Sequence, residues 1–331
     1  MIEVEHKEID EEVAGHCDIF WGKIEPFFKD VNVQGILLAG AHAKGTVNRD
    51  SDIDLNVYYS YNTEDLIKIH PPTINIKKTR RIEVKGGSGT AFYVMDGKEY
   101  ELVFIPIKTT TDTRKELFSN IYSQKIDYIY KILNGIPYIE TKWFAKLLDY
   151  LKNDFHLNKD SVFGYFHGYM KSQLQRHRRR VDGERRMLES LKKNSCTPVV
   201  KLTIDGVWIC LNGLYLLERQ KISRNFYHLC FEEYGDRFDT EEFEFLMQCY
   251  NHKCDIEKVK VKPDRFIYYA ADMRDGIFEK LDKDIKIALD ESKIPGFTRS
   301  MRKENEKNLN DLLSSLYFNK NLHSKFFSIE N

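Results

Sequence analysis

The apolar positions fall into two regimes along the chain. From Ile9 through Val13, Cys17, Phe20, Ile24 and Phe27 they recur at three- and four-residue steps, which predicts an amphipathic opening helix. Short β-rich runs follow over Gly35 to Ala39, Ile53 to Tyr59, Arg81 to Lys85, Thr90 to Met95 and Tyr100 to Ile107. Past about residue 110 the period becomes helical, over Lys115 to Leu133, Lys142 to Phe155, Val162 to Lys192, Pro198 to Arg219, Thr240 to Tyr250, Pro263 to Leu289 and Met301 to Tyr317. The pattern predicts an α/β (α+β) chain: residues 1–112 carrying a twisted mixed sheet backed by helices, and residues 113–331 forming an all-helical domain, with a cleft between them.

One turn fixes a register. Asp96-Gly97 separates two β-rich runs, and both central residues of a type I′ turn need positive φ, which this pair tolerates. Met95 then faces Lys98, and Phe92 faces Glu101, which places Glu101 inside the sheet.

Composition narrows the function classes. The 331 residues are 42% hydrophobic and 13% aromatic, enough for a sizeable core and far from a disordered profile. Lys and Arg total 51, as do Asp and Glu, so any anionic partner must be held by a local patch. Cys17, Cys196, Cys210, Cys230, Cys249 and Cys254 form no close pair, the pattern of reduced thiols. Cys249, His252 and Cys254 lack the further ligands of a zinc finger. No stretch approaches the ~20 uninterrupted apolar residues of a membrane span, and Met1 to Glu12 is acidic without an apolar leader core. The expectation is a cytoplasmic chain with no membrane partner.

The chemistry concentrates in Gly35 to Tyr59, GILLAGAHAKGTVNRDSDIDLNVYY. An apolar strand ends at Gly40, a short helical segment (Ala41, His42, Ala43, Lys44) follows, and Ser51-Asp52-Ile53-Asp54 opens a second apolar strand. Strand residues alternate faces, so Asp52 and Asp54 project together while Ile53 and Leu55 face the core. Paired carboxylates at a strand start repel one another unless a cation neutralises them, and oxygen-only ligands select a hard ion such as Mg²⁺ or Mn²⁺. Gly40 lets backbone approach a phosphate closely. Asp-x-Asp alone is common; the glycine, the spacing and the flanking strands make it informative. His42 is expected to face solvent.

Gly40-Ala41, ten intervening residues and Asp52-Ile53-Asp54 resemble the signature of the DNA polymerase beta superfamily of nucleotidyltransferases, and AKGTVNRDSDIDL is similar to its antibiotic and small bacterial members. The resemblance implies a nucleotidyltransferase fold and two metal ions held by three carboxylates. It implies transfer of a nucleoside monophosphate from a nucleoside triphosphate to a hydroxyl. For the third acid, Glu83, Glu99 and Glu101 all lie in β-rich runs. Glu101 is preferred, because it precedes the most apolar run and the hairpin register sets it deeper than Glu99. In that role Glu101 would complete a metal site and orient or deprotonate the acceptor hydroxyl. Gly40, Ala41, Lys44 and Ser51 become candidates for nucleotide binding. Ala41 departs from the family, which has Ser or Gly there, and keeps a catalytically degenerate nucleotide-binding module as an alternative.

The helical half adds weaker signals. Phe166 to Gln173 and the segment from Lys201 through Glu218 look like two helices of the C-terminal domain of the same bacterial enzymes, some linked to RNA repair, which makes Lys171, Gln173 and Lys201 candidates for triphosphate or base contacts. Asn212 stands where those relatives often have Arg. Arg176, Arg178, Arg179 and Arg180, with Arg185 and Arg186 beyond, could neutralise several phosphates of an RNA, although such a run is ordinarily a solvated face. An RNA (tRNA-like) end is slightly favoured as acceptor. An aminoglycoside-type small molecule, held by acids such as Glu232, Glu233, Asp236, Glu241 and Glu242, is the alternative. The aromatic runs Tyr227, Phe231, Tyr234 and Phe266, Tyr268, Tyr269 are expected in the core.

Overall fold

A computed structural model describes residues 1–28, 31–61, 80–85, 88–107, 117–178, 195–258 and 263–326. After a short strand β1 (Glu3–Val4), helix α1 (Glu11–Ile24) begins where Asp10 accepts hydrogen bonds from the Glu12 and Val13 amides. A tighter 3₁₀ turn over Glu25–Phe28 continues it, so the helical run reaches Phe27 as expected. Strand β2 (Val31–Leu38) leads into α2 (Gly40–Lys44), and β3 (Ile53–Tyr61) follows the Asp-x-Asp segment. Three more strands, β4 (Arg80–Lys85), β5 (Ser88–Met95) and β6 (Lys98–Pro106), complete the β-rich region.

The main sheet has six strands in the order β4-β5-β6-β3-β2 and then β7 (Ile136–Glu140) at the far edge. Only β3 and β6 pair in parallel, so the sheet is mixed. The hairpin register is the one expected: Met95 opposes Lys98 and Phe92 opposes Glu101, with Asp96 and Gly97 both at positive φ.

The two faces of this sheet differ. Ile53, Leu55, Val57 and Tyr59 of β3 point to the back, with Tyr100 and Leu102 of β6, and are buried against Cys17, Phe20, Trp21 and Ile24 of α1. Phe20 stacks on Tyr100 with ring centroids 4.0 Å apart. By strict alternation Asp54, Asn56 and Tyr58 point to the front, where Glu101, Val103 and Ile105 of β6 join them.

The region after residue 113 is mostly helical but not wholly so. The single helix expected over Lys115 to Leu133 is two, α3 (Leu117–Tyr122) and α4 (Ile126–Asn134). Gln124 breaks it with a φ of 51°, a turn that lets its side chain donate to the His156 carbonyl and accept from Asn158. The all-helical expectation is also corrected by β7, which leaves the helical half to pair with β2. Its Pro137 is tolerated because β7 is an edge strand, where a missing N–H breaks no ladder. A second, two-residue strand β8 (Lys221–Ile222) pairs in parallel with β1 and ties the N-terminus to the helical half.

The remaining helices are α5 (Lys142–Asn153), α6 (Lys159–Arg178), α7 (Thr197–Arg219), α8 (Thr240–Lys253), α9 (Pro263–Glu291) and α10 (Arg299–Phe326). Helix α7 is central and packs against α6, α8 and α9. By length and composition it could cross a membrane, yet 78% of its most apolar stretch is buried inside this fold. Of the aromatic runs, Phe231, Tyr234 and Phe266 are in the core as expected, whereas Tyr227, Tyr268 and Tyr269 are exposed. All six cysteines are free thiols.

Candidate functional site

Residues Asp52, Asp54 and Glu101 come together at the front of the sheet, because the parallel β3–β6 pairing sets Asp54 directly opposite Glu101 and alternation sets Asp52 on the same face. Their ligand oxygens all lie within 4.8 Å of one another. Among the described residues this is the one group of three or more acidic, His or Cys side chains so arranged. Burial pushes the Asp54 carboxyl up to about 7, helped by the charges of Asp52 and Glu101 and opposed by Lys201 and Lys44. Burial and the Asp52 charge likewise raise Glu101. Three carboxylates crowded together are a poor arrangement for the protein alone and a good one for a cation, so the donor set fits a hard divalent ion.

The Gly40 turn is built onto this cluster. The Ala39 amide donates to the Asp54 carbonyl at 2.8 Å, which pins the turn to β3. Gly40 has φ of 61°, and a Cβ there would lie 1.6 Å from Asp54 Oδ2. Glycine is required twice over, by conformation and by space. Helix α2 spans five residues, so backbone approach rather than a helix dipole is what this turn offers. Lys7 braces it from outside, donating to the His42 and Ala43 carbonyls at 3.0 and 3.1 Å.

Opposite the acids, α7 presents Lys201 and, one turn on, Asp205, which pairs with Lys44 at 2.7 Å. Lys253, at the end of α8, joins them: it is 6% exposed, and burial followed by the Lys201 charge lowers its ammonium, with Asp205 acting against them. Lys44, Lys201 and Lys253 thus gather near Asp205 beside the three acids, a layout suited to a metal-bound polyphosphate. Lys253 was not visible in the sequence, since a lysine in the last turn of a helix is ordinarily explained by the helix dipole.

Other expected site residues are placed differently. Lys171 is drawn away to Asp282 on α9, at 3.1 Å, and does not line the cavity at the acids. The Ser51 hydroxyl donates to Asn48 Oδ1 at 2.8 Å and accepts from the Asn48 amide at 2.9 Å, closing the loop before β3. His42 is buried, 8% exposed, instead of facing solvent, and burial lowers its pKa to about 4. Asn212 is fully buried and structural: its amide holds the Trp208 carbonyl and the Ser223 N–H. Ala41 sits in α2. Glu83 lies on β4, opposite Thr90 of β5. Gln173, Arg176 and Arg178 lie on the final turns of α6, their side chains outside the described set, and Arg179, Arg180, Arg185 and Arg186 fall outside the described residues.

Between the front face and the helical half lies a cavity of about 900 Å³. Gly40, Lys44, Asp54 and Glu101 line one part of it. Tyr58, Tyr130, Trp208 and Ile209 line another. The aromatic part was not foreseen, although Asn56 and Tyr58 could have been found by extending the alternation from Asp54. No family model matches the chain, and no curated protein matches it.

Proposed function

We propose that the chain is a metal-dependent nucleotidyltransferase of the DNA polymerase beta type, moving a nucleoside monophosphate from a nucleoside triphosphate to a hydroxyl. The observation that supports this reading best is the convergence of Asp52, Asp54 and Glu101 from two paired strands, beside a glycine turn that only glycine can make. Asp52, Asp54 and Glu101 would hold Mg²⁺ or Mn²⁺, and two such ions would neutralise charge developing on the attacking and leaving oxygens.

The chain's own residues supply the rest. Lys44, Lys201 and Lys253 meet the phosphate charges, and the Gly40 backbone allows close approach. Glu101, whose carboxyl is raised by burial and the Asp52 charge, takes the proton of the acceptor hydroxyl. That oxygen bonds to the α-phosphorus, the bond from the α-phosphorus to the β-bridging oxygen breaks, and pyrophosphate leaves with the electron pair. An RNA end and a small hydroxylated molecule are both acceptors of this reaction class.

The test is incubation of the intact chain and its Asp52→Ala/Asp54→Ala variant with α-labelled nucleoside triphosphates, Mg²⁺ or Mn²⁺, and RNA or small-molecule acceptors. Label transfer by the intact chain alone is expected. Equal transfer by the folded variant would remove the reading.

A further inference from the structure

We infer that Lys7 is a positioning residue for the phosphate side of the site: it clasps the Gly40 turn to the helical half, and so sets where Gly40 and Lys44 stand relative to Lys201. This rests on the proposed transfer reaction, which gives that side its substrate. Three observations lead to it.

The first is where the ammonium sits. A lysine ammonium carries three donors and no acceptor. Lys7 directs all three to backbone carbonyls, those of His42 at 3.0 Å, Ala43 at 3.1 Å and Arg224 at 3.2 Å. The first two belong to the last turn of α2, where helix carbonyls are left without an onward amide. The third lies in the segment that follows β8. Room is kept for the ammonium, because Gly45 ends α2 at a φ of 72° and a Cβ there would stand 3.3 Å from Lys7 Nζ.

The second is how the far end of the clasp is held. The Arg224 guanidinium donates to the Leu133 and Gly135 carbonyls at 2.8 and 2.5 Å. Glu5, two residues before Lys7, accepts from the Arg224 amide at 2.8 Å and the Ser223 hydroxyl at 2.6 Å. Gly135 lines the same cavity as Gly40 and Lys44, so one knot of hydrogen bonds joins two of its walls. The Lys44 pair with Asp205 is a second tie between α2 and α7. The acids need neither tie, since β3 and β6 pair directly.

The third is what the clasp costs. Burial pushes the Lys7 ammonium down to about 8, with Glu5 acting against that shift and the Arg224 charge adding to it. A partly desolvated cation held by carbonyls is a weak way to stabilise a fold. What it supplies is direction: three N–H bonds fix three backbone points at once, two on the turn and one on the helical half.

The test titrates the full chain and its Lys7→Met and Lys7→Gln variants with Mn²⁺, then with the α,β-methylene triphosphates of the four nucleosides, and follows transfer from α-labelled triphosphates. Lys7→Met is expected to weaken triphosphate binding and raise its KM about tenfold, the scale of lost charged hydrogen bonds. Mn²⁺ affinity and kcat are expected to stay within about twofold, the split of a group that acts on binding alone. Lys7→Gln, which keeps N–H donors without the charge, falls between. The inference is overturned if both variants bind triphosphate as the intact chain does, if kcat falls at unchanged KM, or if both lose Mn²⁺ affinity, which would make Lys7 a residue of the fold. An intact chain that binds Mn²⁺ and no triphosphate would sink the transfer reading alone. Amide exchange then decides the clasp: Lys7→Met should speed exchange at Ala43 and Thr46, which bond to Ala39 and Ala41 within the turn, and leave β3 unchanged. Equal exchange in the two chains would overturn it.

Discussion

Two acidic centres in this molecule are handled in opposite ways. Asp282, 5% exposed, is met from three sides, by His167 at 2.7 Å, Lys286 at 2.8 Å and Lys171 at 3.1 Å. Burial pushes its carboxyl up, but Lys286, Lys171 and the His167 charge together outweigh burial and hold it below the usual range. Asp54 is met by two more acids, and burial with their charges pushes it up to about 7, more than Lys201 and Lys44 nearby can offset. The chain closes the first centre with its own cations and leaves the second to be closed from outside. Full internal compensation marks a structural pair, and a shortfall of it at a cavity wall marks a site.

The largest effect should come from Asp54→Asn. Transfer is expected to fall on the order of 10³-fold, the scale of losing a group that positions transition-state charge. The same variant should melt at a higher temperature than the intact metal-free chain at pH 8, because a repelling charge is gone. A lower melting temperature would break the contrast with Asp282. Next, Asp282→Asn should cost about 1 kcal/mol in denaturant unfolding, because it takes the shared counter-ion from His167 and from two half-exposed lysines, Lys171 and Lys286. Its Mn²⁺ affinity should equal that of the intact chain.

The pH dependences should oppose each other. Folded Asp54 keeps its proton to about pH 7, against an ordinary value of 3.8. Between those values the folded state binds more protons, so Asp54's contribution to metal-free stability falls as pH rises from about 4 to about 7 and is level beyond. Asp282, held below its ordinary value, contributes stability that is present at neutral pH and lost as pH falls through the acid range. Comparing urea midpoints of the intact chain with those of Asp54→Asn and Asp282→Asn from pH 4 to 8 separates the two slopes. Last is Lys253→Met, expected to weaken triphosphate binding about tenfold in a titration while leaving Mn²⁺ binding unchanged.

What could be read in the sequence was short-range. The Asp96-Gly97 turn carries its φ requirement in two residues, so the β5–β6 register and the choice of Glu101 over Glu99 followed directly. The Asp-x-Asp strand was legible because alternation is a local rule. What was hidden depends on partners far along the chain. Gln124 breaks a helical pattern for the sake of His156 and Asn158. Ile136 to Glu140 is too short to announce a strand and becomes one only against β2. Lys171 has the charge of a phosphate ligand and is drawn to Asp282, more than a hundred residues away. Lys253 has the ordinary look of a helix end and is brought to Lys201 and Lys44 by the packing of α8 on α7.

The most direct test of the central claim is calorimetric titration of Mn²⁺ into the intact chain at pH 6 in buffers of different ionisation enthalpy. The account predicts binding that releases about one proton from Asp54, a release that fades as pH rises past 7 and is absent in Asp54→Asn. Failure to bind Mn²⁺, or binding with no proton release that persists unchanged in Asp54→Asn, would contradict it.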